Sequence, residues 1–161
     1  MSKRLPPVLT DRLDGLLNGE RLDEQLNKVL LLVTLDEAGW PYVAMLSYLE
    51  VISAGRSDIR IAPWKNSTTT ANLRHQPKAT LIVVDEEMAY YIQTTAAEMS
   101  RDLEGFPAMA KINLHIESIL EDKALDYEGA ARVTTGIRFE NPQMDVAYIQ
   151  RGRRVLDALR R

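Results

Sequence analysis

A chain of 161 residues with 45% hydrophobic residues, no cysteine and a formal net charge of −3 is long enough to bury a core unaided. It excludes disulfide staples, thiolate metal sites and thiol nucleophiles. The charge is uneven, because Arg151, Arg153, Arg154, Arg160 and Arg161 crowd the C-terminal end against Asp157 alone, so the remaining body is acidic and unsuited to a nucleic-acid-binding core. The opening Met-Ser-Lys-Arg-Leu-Pro-Pro lacks the apolar stretch of a secretory signal, and the longest apolar run, Val29 to Val33, is too short to span a bilayer. The expectation is a cytoplasmic protein with no membrane partner.

In chain order, Val8 to Asn18 carries leucines at 9, 13, 16 and 17 behind the cap candidate Thr10, with Gly19 after it, which predicts a short amphipathic helix. Leu26 to Leu35 has the length and aliphatic content of a strand. Asp36-Glu37-Ala38-Gly39 reads as a hairpin turn, and Pro41 to Val51 returns as one long second strand. Ile59 to Ala62 is a third strand. Beyond Pro77, Ala79 to Val84 and Met88 to Thr95 form a hairpin about Asp85-Glu86-Glu87. Ala96 to Phe106 fits either a helical turn or a loop. Ala108 to Asp122 alternates Ala110, Ile112, Leu114 and Ile116 on one face with Lys111, Asn113, His115 and Glu117 on the other, and predicts the sixth strand, long enough to bend round a barrel. From Gly129 through Ala130, Ala131 and Val133 the pattern turns helical, and Asn141-Pro142 predicts the start of a last helix running to the end.

Six strands joined mostly by hairpins, with one short helix after the third and helices at both ends, predict an antiparallel barrel rather than a doubly wound sheet. The chain reads as a single domain, with a barrel core at about 26–122 and a C-terminal helical appendage at about 128–161.

The stretch Ile59 to Pro77 is where chemistry concentrates. Pro63 ends the strand because it has no N–H to give, Ser67 stands at an N-cap, and a helix starts at Thr68. Three successive threonines are weak choices for a first helical turn. Two readings stand: Ser67 is an ordinary cap beside solvent-facing threonines, or the hydroxyls of Ser67, Thr68 and Thr69 join the open N–H groups of the first turn to seat an anion, with Lys65 supplying charge.

Elsewhere a protein-built active site is missing. His75 and His115 have no metal-ligand spacing and no base-pair pattern, no glycine-rich phosphate loop or nucleophile elbow appears, and Glu86-Glu87 and Glu121-Asp122 read as solvated turns. No catalytic residue and no metal site is assigned. Any reaction would be carried by a bound cofactor.

The succession Gly39-Trp40-Pro41, Met45-Leu46-Ser47, Ile59-Arg60-Ile61-Ala62, Ser67-Thr68-Thr69-Thr70-Ala71-Asn72-Leu73 and Pro77 resembles the pyridoxamine 5′-phosphate oxidase-like superfamily, the FMN-binding split barrel. Ala131 to Phe139 resembles a C-terminal segment of one uncharacterised bacterial branch, and the likeness covers roughly Val29 to Phe139. The resemblance implies a mainly β fold, a six-stranded antiparallel split barrel with helices at both termini. It also implies a homodimer with FMN at the subunit interface. Carried over by position, Met45, Leu46 and Ser47 lie along the flavin ring, Ala62, Pro63, Trp64 and Lys65 beside the phosphate, and Ser67, Thr68, Thr69 and Asn72 at the loop and helix that hold it. Trp64 would stack on a ring or fill the barrel rim. The oxidases carry an arginine and a lysine where this chain has Thr68 and Thr69, which leaves hydroxyls, helix N–H groups and Lys65 or Lys78 to hold the anion.

The expectation from the resemblance is an FMN-dependent oxidoreductase acting on a small-molecule substrate. The alternatives are a non-catalytic binder of flavin, haem or deazaflavin, and a cofactor-free homodimer whose arginine-rich last helix docks on an acidic partner. Oxidation of vitamin B6 itself is not expected, because Arg151-Gly152-Arg153 lacks the histidine of the oxidases' C-terminal pattern.

Overall fold

The strands of the barrel are long alternating runs whose inner positions are aliphatic, and their pairing determines where the candidate site lies. A computed structural model describes residues 2–123 and 132–161. In chain order these form β1 (Ser2–Leu5), α1 (Asp11–Leu17), a 3₁₀ turn (Leu22–Glu24), β2 (Val29–Leu35), β3 (Pro41–Ser47), β4 (Val51–Ser53), β5 (Asp58–Ile61), α2 (Thr68–His75), β6 (Lys78–Asp85), β7 (Met88–Ser100), β8 (Lys111–Asp122) and α3 (Val146–Arg160).

All pairings are antiparallel and follow the order β3-β2-β6-β7-β8-β5-β4, with β1 added beside β8. The two ends of that path, β3 and β4, are neighbours in the chain, separated only by Tyr48, Leu49 and Glu50. A four-residue step reaches at most about 14 Å. The sheet must therefore curl until its edges almost meet, closed through the chain and left open in its hydrogen bonds: an antiparallel split barrel.

The long second strand expected over Pro41 to Val51 is accordingly two strands on opposite edges. The break falls where Glu50 folds its side chain back to accept the Ser47 N–H at 2.9 Å. β1 was not expected; four residues rich in Lys and Arg carry no strand signal, and only the free edge of β8 recruits them, in register Ser2 with Asp122 and Leu5 with Ile119. The ambiguous segment after Thr95 is strand as far as Ser100, paired to the start of β8.

Leu30, Leu32, Ile59, Ile61, Leu81, Ile92, Ile112, Leu114 and Ile119 fill the barrel and are nearly inaccessible. Leu13 and Leu17 of α1 and Val155, Leu156 and Leu159 of α3 bury against the same core. Thr10 caps α1 as expected, accepting the Leu13 N–H.

The helical pattern from Gly129 begins outside the described residues, and from Arg132 the chain is not helical. It runs extended as a strap: the Glu87 N–H reaches the Val133 carbonyl, Val29 N–H the Ile137 carbonyl, and Phe139 N–H the Asn27 carbonyl. The strap thus supplies partners where the start of β2 diverges from β6. The last helix also starts later than Asn141-Pro142 suggested. Asn141 caps a turn at Gln143, and Asp145 is the helix cap, accepting the Tyr148 N–H at 2.8 Å. The arginines of that end are mostly committed within the chain: Arg151 lies over the Phe106 ring, Arg153 pairs with Asp23, Arg160 with Asp157 and Arg161 with Glu104.

Candidate functional site

The loop from Pro63 to Ser67 is pinned before α2 begins. Pro63 and Lys65 each engage the segment ahead of β8, through the Ala110 N–H to the Pro63 carbonyl and the Lys65 N–H to the Ala108 carbonyl, both 2.9 Å. Ser67 Oγ then accepts the Thr70 N–H at 3.2 Å, and Thr70 Oγ1 donates back to the Trp64 carbonyl at 2.8 Å. The three threonines therefore divide. Thr70 is fully buried and serves the loop, Thr69 is buried, and Thr68 is exposed. The N–H groups of Thr68 and Thr69 are left at the open first turn.

That turn borders an open hollow of about 480 Å³, whose other wall is the β2–β3 turn with Asp36, Glu37 and Ala38. Ser67, Thr68 and Asn72 also line it. Asn72 is held from below, its amide donating to Thr34 Oγ1 at 3.0 Å. Lys65 turns the other way and donates to Asp102 at 2.6 Å. Arg74, one turn along α2, is held by Glu98 through two hydrogen bonds of 3.0 and 2.5 Å. Lys78 opens onto a different groove, beside Gln93 and Glu117.

A separate surface is the outer face of the β3–β2–β6 sheet, whose Val33 lines the groove that holds Lys78. Register places Met45 opposite Leu31 and Val43 opposite Val33, and Leu31 and Val33 in turn opposite Ile82 and Thr80. Val43 and Met45 are 54% and 70% exposed, and Leu31, Val33 and Ile82 are half-buried. The opposite alternation sends Leu46 into the core. Ala62 and Pro63 are buried, so they offer only backbone, whereas Trp64 at the end of β5 is 55% exposed. Ser47 is half-buried, its Oγ accepting the Leu49 N–H.

The structure thus gathers Ser67, Thr68 and Asn72 at one hollow and leaves Met45 and Trp64 as open apolar surface. It commits Lys65 to an ion pair. Sequence reasoning missed Asp36 and Glu37, read only as turn residues, and Glu50, whose signal was a lone charge in the apolar run Leu46 to Ile52. Burial pushes the Glu50 carboxyl up to about 7, partly offset by the Ser47 N–H and by Arg151. Among the described residues His115 Nδ1 lies 3.1 Å from Asp58 on the exposed side of β8. Among the described residues no helix is long and apolar enough to cross a membrane.

No protein-family profile matches the chain. Among solved structures, a proposed pyridoxamine 5′-phosphate oxidase from Lactobacillus delbrueckii superposes with a TM-score of 0.57 at 20% identity, covering 73% of this chain and 98% of that one. HutZ, a haem storage protein from Vibrio cholerae, superposes with a TM-score of 0.50 at 15% identity over 70% of this chain and 99% of its own. The fold is that of the pyridoxamine 5′-phosphate oxidase-like split barrels. YclD of Bacillus subtilis, an uncharacterised protein, is 33% identical over 153 residues, which make up 95% of this chain and 96% of the relative. The chain belongs to the family of YclD.

Proposed function

We propose that this protein is an FMN-binding flavoprotein that works as a homodimer, with its cofactor sites at the subunit interface and its ring lying along β3. The observation that carries the reading is the outer sheet face on which Val43, Met45, Leu31, Val33 and Ile82 form one apolar surface. A face of this kind is covered in a working protein, by a second subunit, a planar ligand, or both. Trp64, 55% exposed at the end of β5, offers an aromatic face on which such a ring would stack. The absence of cysteine suits a reducing cytoplasm.

The residues present fit a flavin ring. A phosphate would meet the Thr68 and Thr69 N–H groups and the Thr68 hydroxyl, neutral donors at the positive end of α2. Bound FMN would supply a hydride acceptor for a reduced nicotinamide or other donor and pass the electrons to a small organic acceptor. This chain's part is to bury the ring against β3, hold its far end at α2 and exclude water.

A second reading is favoured by the ion pair of Lys65 with Asp102, which withdraws the nearest cation from the hollow. In that reading the protein binds a flavin, a deazaflavin or haem without turnover; HutZ, which shares the fold, is a haem storage protein. A dimer with no cofactor is the remaining alternative. The deciding measurement is the absorption spectrum of freshly purified protein with and without added FMN, after gel filtration, followed by addition of NADH and NADPH. Retained flavin with steady turnover supports the first reading, and retained flavin, deazaflavin or haem without turnover the second. A colourless dimer that binds none of them would overturn both.

A further inference from the structure

We propose that the hollow at the start of α2 recognises the neutral, hydroxyl-rich end of its ligand and does not select a phosphate ester, so that riboflavin binds as tightly as FMN. The inference rests on the flavin reading above. Its basis is the distribution of donors and acceptors around the hollow. On one side stand Ser67 and Thr68 at the open first turn of α2, with the Thr68 side chain exposed. On the other stand the carboxylates of Asp36 and Glu37. Asp36 is held in place there, its Oδ1 accepting the Ala38 and Trp40 N–H groups at 2.9 and 2.8 Å, and Glu37 is exposed at the tip of the turn.

A hydroxyl both donates and accepts, so a polyol chain placed between these walls satisfies both. A phosphate ester only accepts and carries close to two negative charges at neutral pH. It would be served by the helix side and opposed by the two carboxylates. The cations that would reverse this are already neutralised in place: Lys65 by Asp102 and Arg74 by Glu98. Among the described residues the lining of the hollow holds no cation. Charge-assisted hydrogen bonds are what make phosphate sites selective, and here the pairs that could form them are spent on the fold.

The test is a titration of the flavin-free full-length protein with FMN and with riboflavin, at low and at high salt. Quenching of tryptophan fluorescence is the signal, since Trp40 and Trp64 are 72% and 55% exposed. The two dissociation constants are expected to agree within about threefold, with that of FMN nearly independent of salt. FMN binding about tenfold or more tighter than riboflavin overturns the inference and leaves the flavin reading standing. Binding of neither overturns both. A second arm places a cation at the exposed first turn: Thr68→Arg is expected to tighten FMN by about tenfold and leave riboflavin unchanged. Glu37→Gln is expected to tighten FMN a few-fold and riboflavin not at all. Equal effects on both ligands in these variants overturn the inference, because the ribityl and phosphate end would then lie elsewhere.

Discussion

The side-chain amide of Asn72 donates to the Thr34 hydroxyl across 3.0 Å, with both residues at least 95% buried. This one contact ties the middle of α2 to the inner face of β2 and so sets how the helix start meets the β2–β3 turn. Removing the acceptor strands a buried amide rather than merely losing a bond. Thr34→Val is expected to cost about 1–3 kcal/mol, read as a lower urea midpoint with an unchanged slope. Thr34→Ser, which keeps the oxygen, should retain most of it.

Gly152 faces Leu49 so closely that a Cβ would lie 2.6 Å from Leu49 Cδ2 and 2.9 Å from its Cβ. α3 can approach the turn between β3 and β4 only because that position has no side chain. Alanine improves helix propensity by about 1 kcal/mol, but the overlap opposes it. Gly152→Ala is expected to destabilise by about 1–3 kcal/mol, checked by thermal unfolding, and Leu49→Ala in the same chain should recover part of the loss.

Glu50 carries its carboxyl into the same turn, where burial pushes it up to about 7. A carboxyl raised above its unfolded value of about 4.3 favours the folded state at low pH. Its contribution is complete below about pH 4 and is lost as the pH rises through 7. The loss is on the order of 3–4 kcal/mol. Asp58 and Asp85 do not interfere in this range. Burial alone would raise them, but Asn113 and His115 on the first, and the Glu86 N–H with Lys28 and Arg12 on the second, hold both below the usual carboxylate value. Their contributions fall away only in stronger acid. Unfolding free energies at pH 5 and pH 8 should therefore differ in the wild type and converge in Glu50→Gln, which still offers an oxygen to the Ser47 N–H.

The outer face of β3 carries the dimer proposal. Val43 is 54% exposed and stands opposite Val33, so a charge there meets apolar neighbours and, in a dimer, a partner surface. Val43→Glu is expected to halve the mass seen in sedimentation while leaving the circular dichroism unchanged. A wild type that sediments as a monomer at every concentration would remove the premise.

Much of the fold was legible because its strands obey one rule. Ile112, Leu114 and Ile116 alternate with polar residues, and that alternation survives any arrangement of neighbours. Thr10 and Ser67 announced their helices because a cap acts on the next turn of its own chain. The break at Tyr48 to Glu50 was not legible. Leu46 to Ile52 is apolar on both sides of it, and only barrel closure requires the chain to cross from one edge of the sheet to the other. β1 and the strap from Arg132 escaped for the same reason: each is strand-like only because an edge of β8 or β2 stands unpaired beside it. At the site, the helix start with its hydroxyls could be read from Ser67 to Asn72, whereas the fate of each charge could not.

What the sequence by itself determined is the set of local choices: the alternating strands, the capped helices, the turn at Asp36 to Gly39, and the lack of any thiol. These follow from interactions within a few residues. Only the tertiary structure decided that Asp36 and Glu37 stand across from Thr68, that Asp102 and Glu98 neutralise Lys65 and Arg74, and that Val43 and Met45 form an open face with β2 and β6. Electrostatic partnership depends on distance in space, and residues far apart along the chain acquire it only when the sheet curls and brings its edges together.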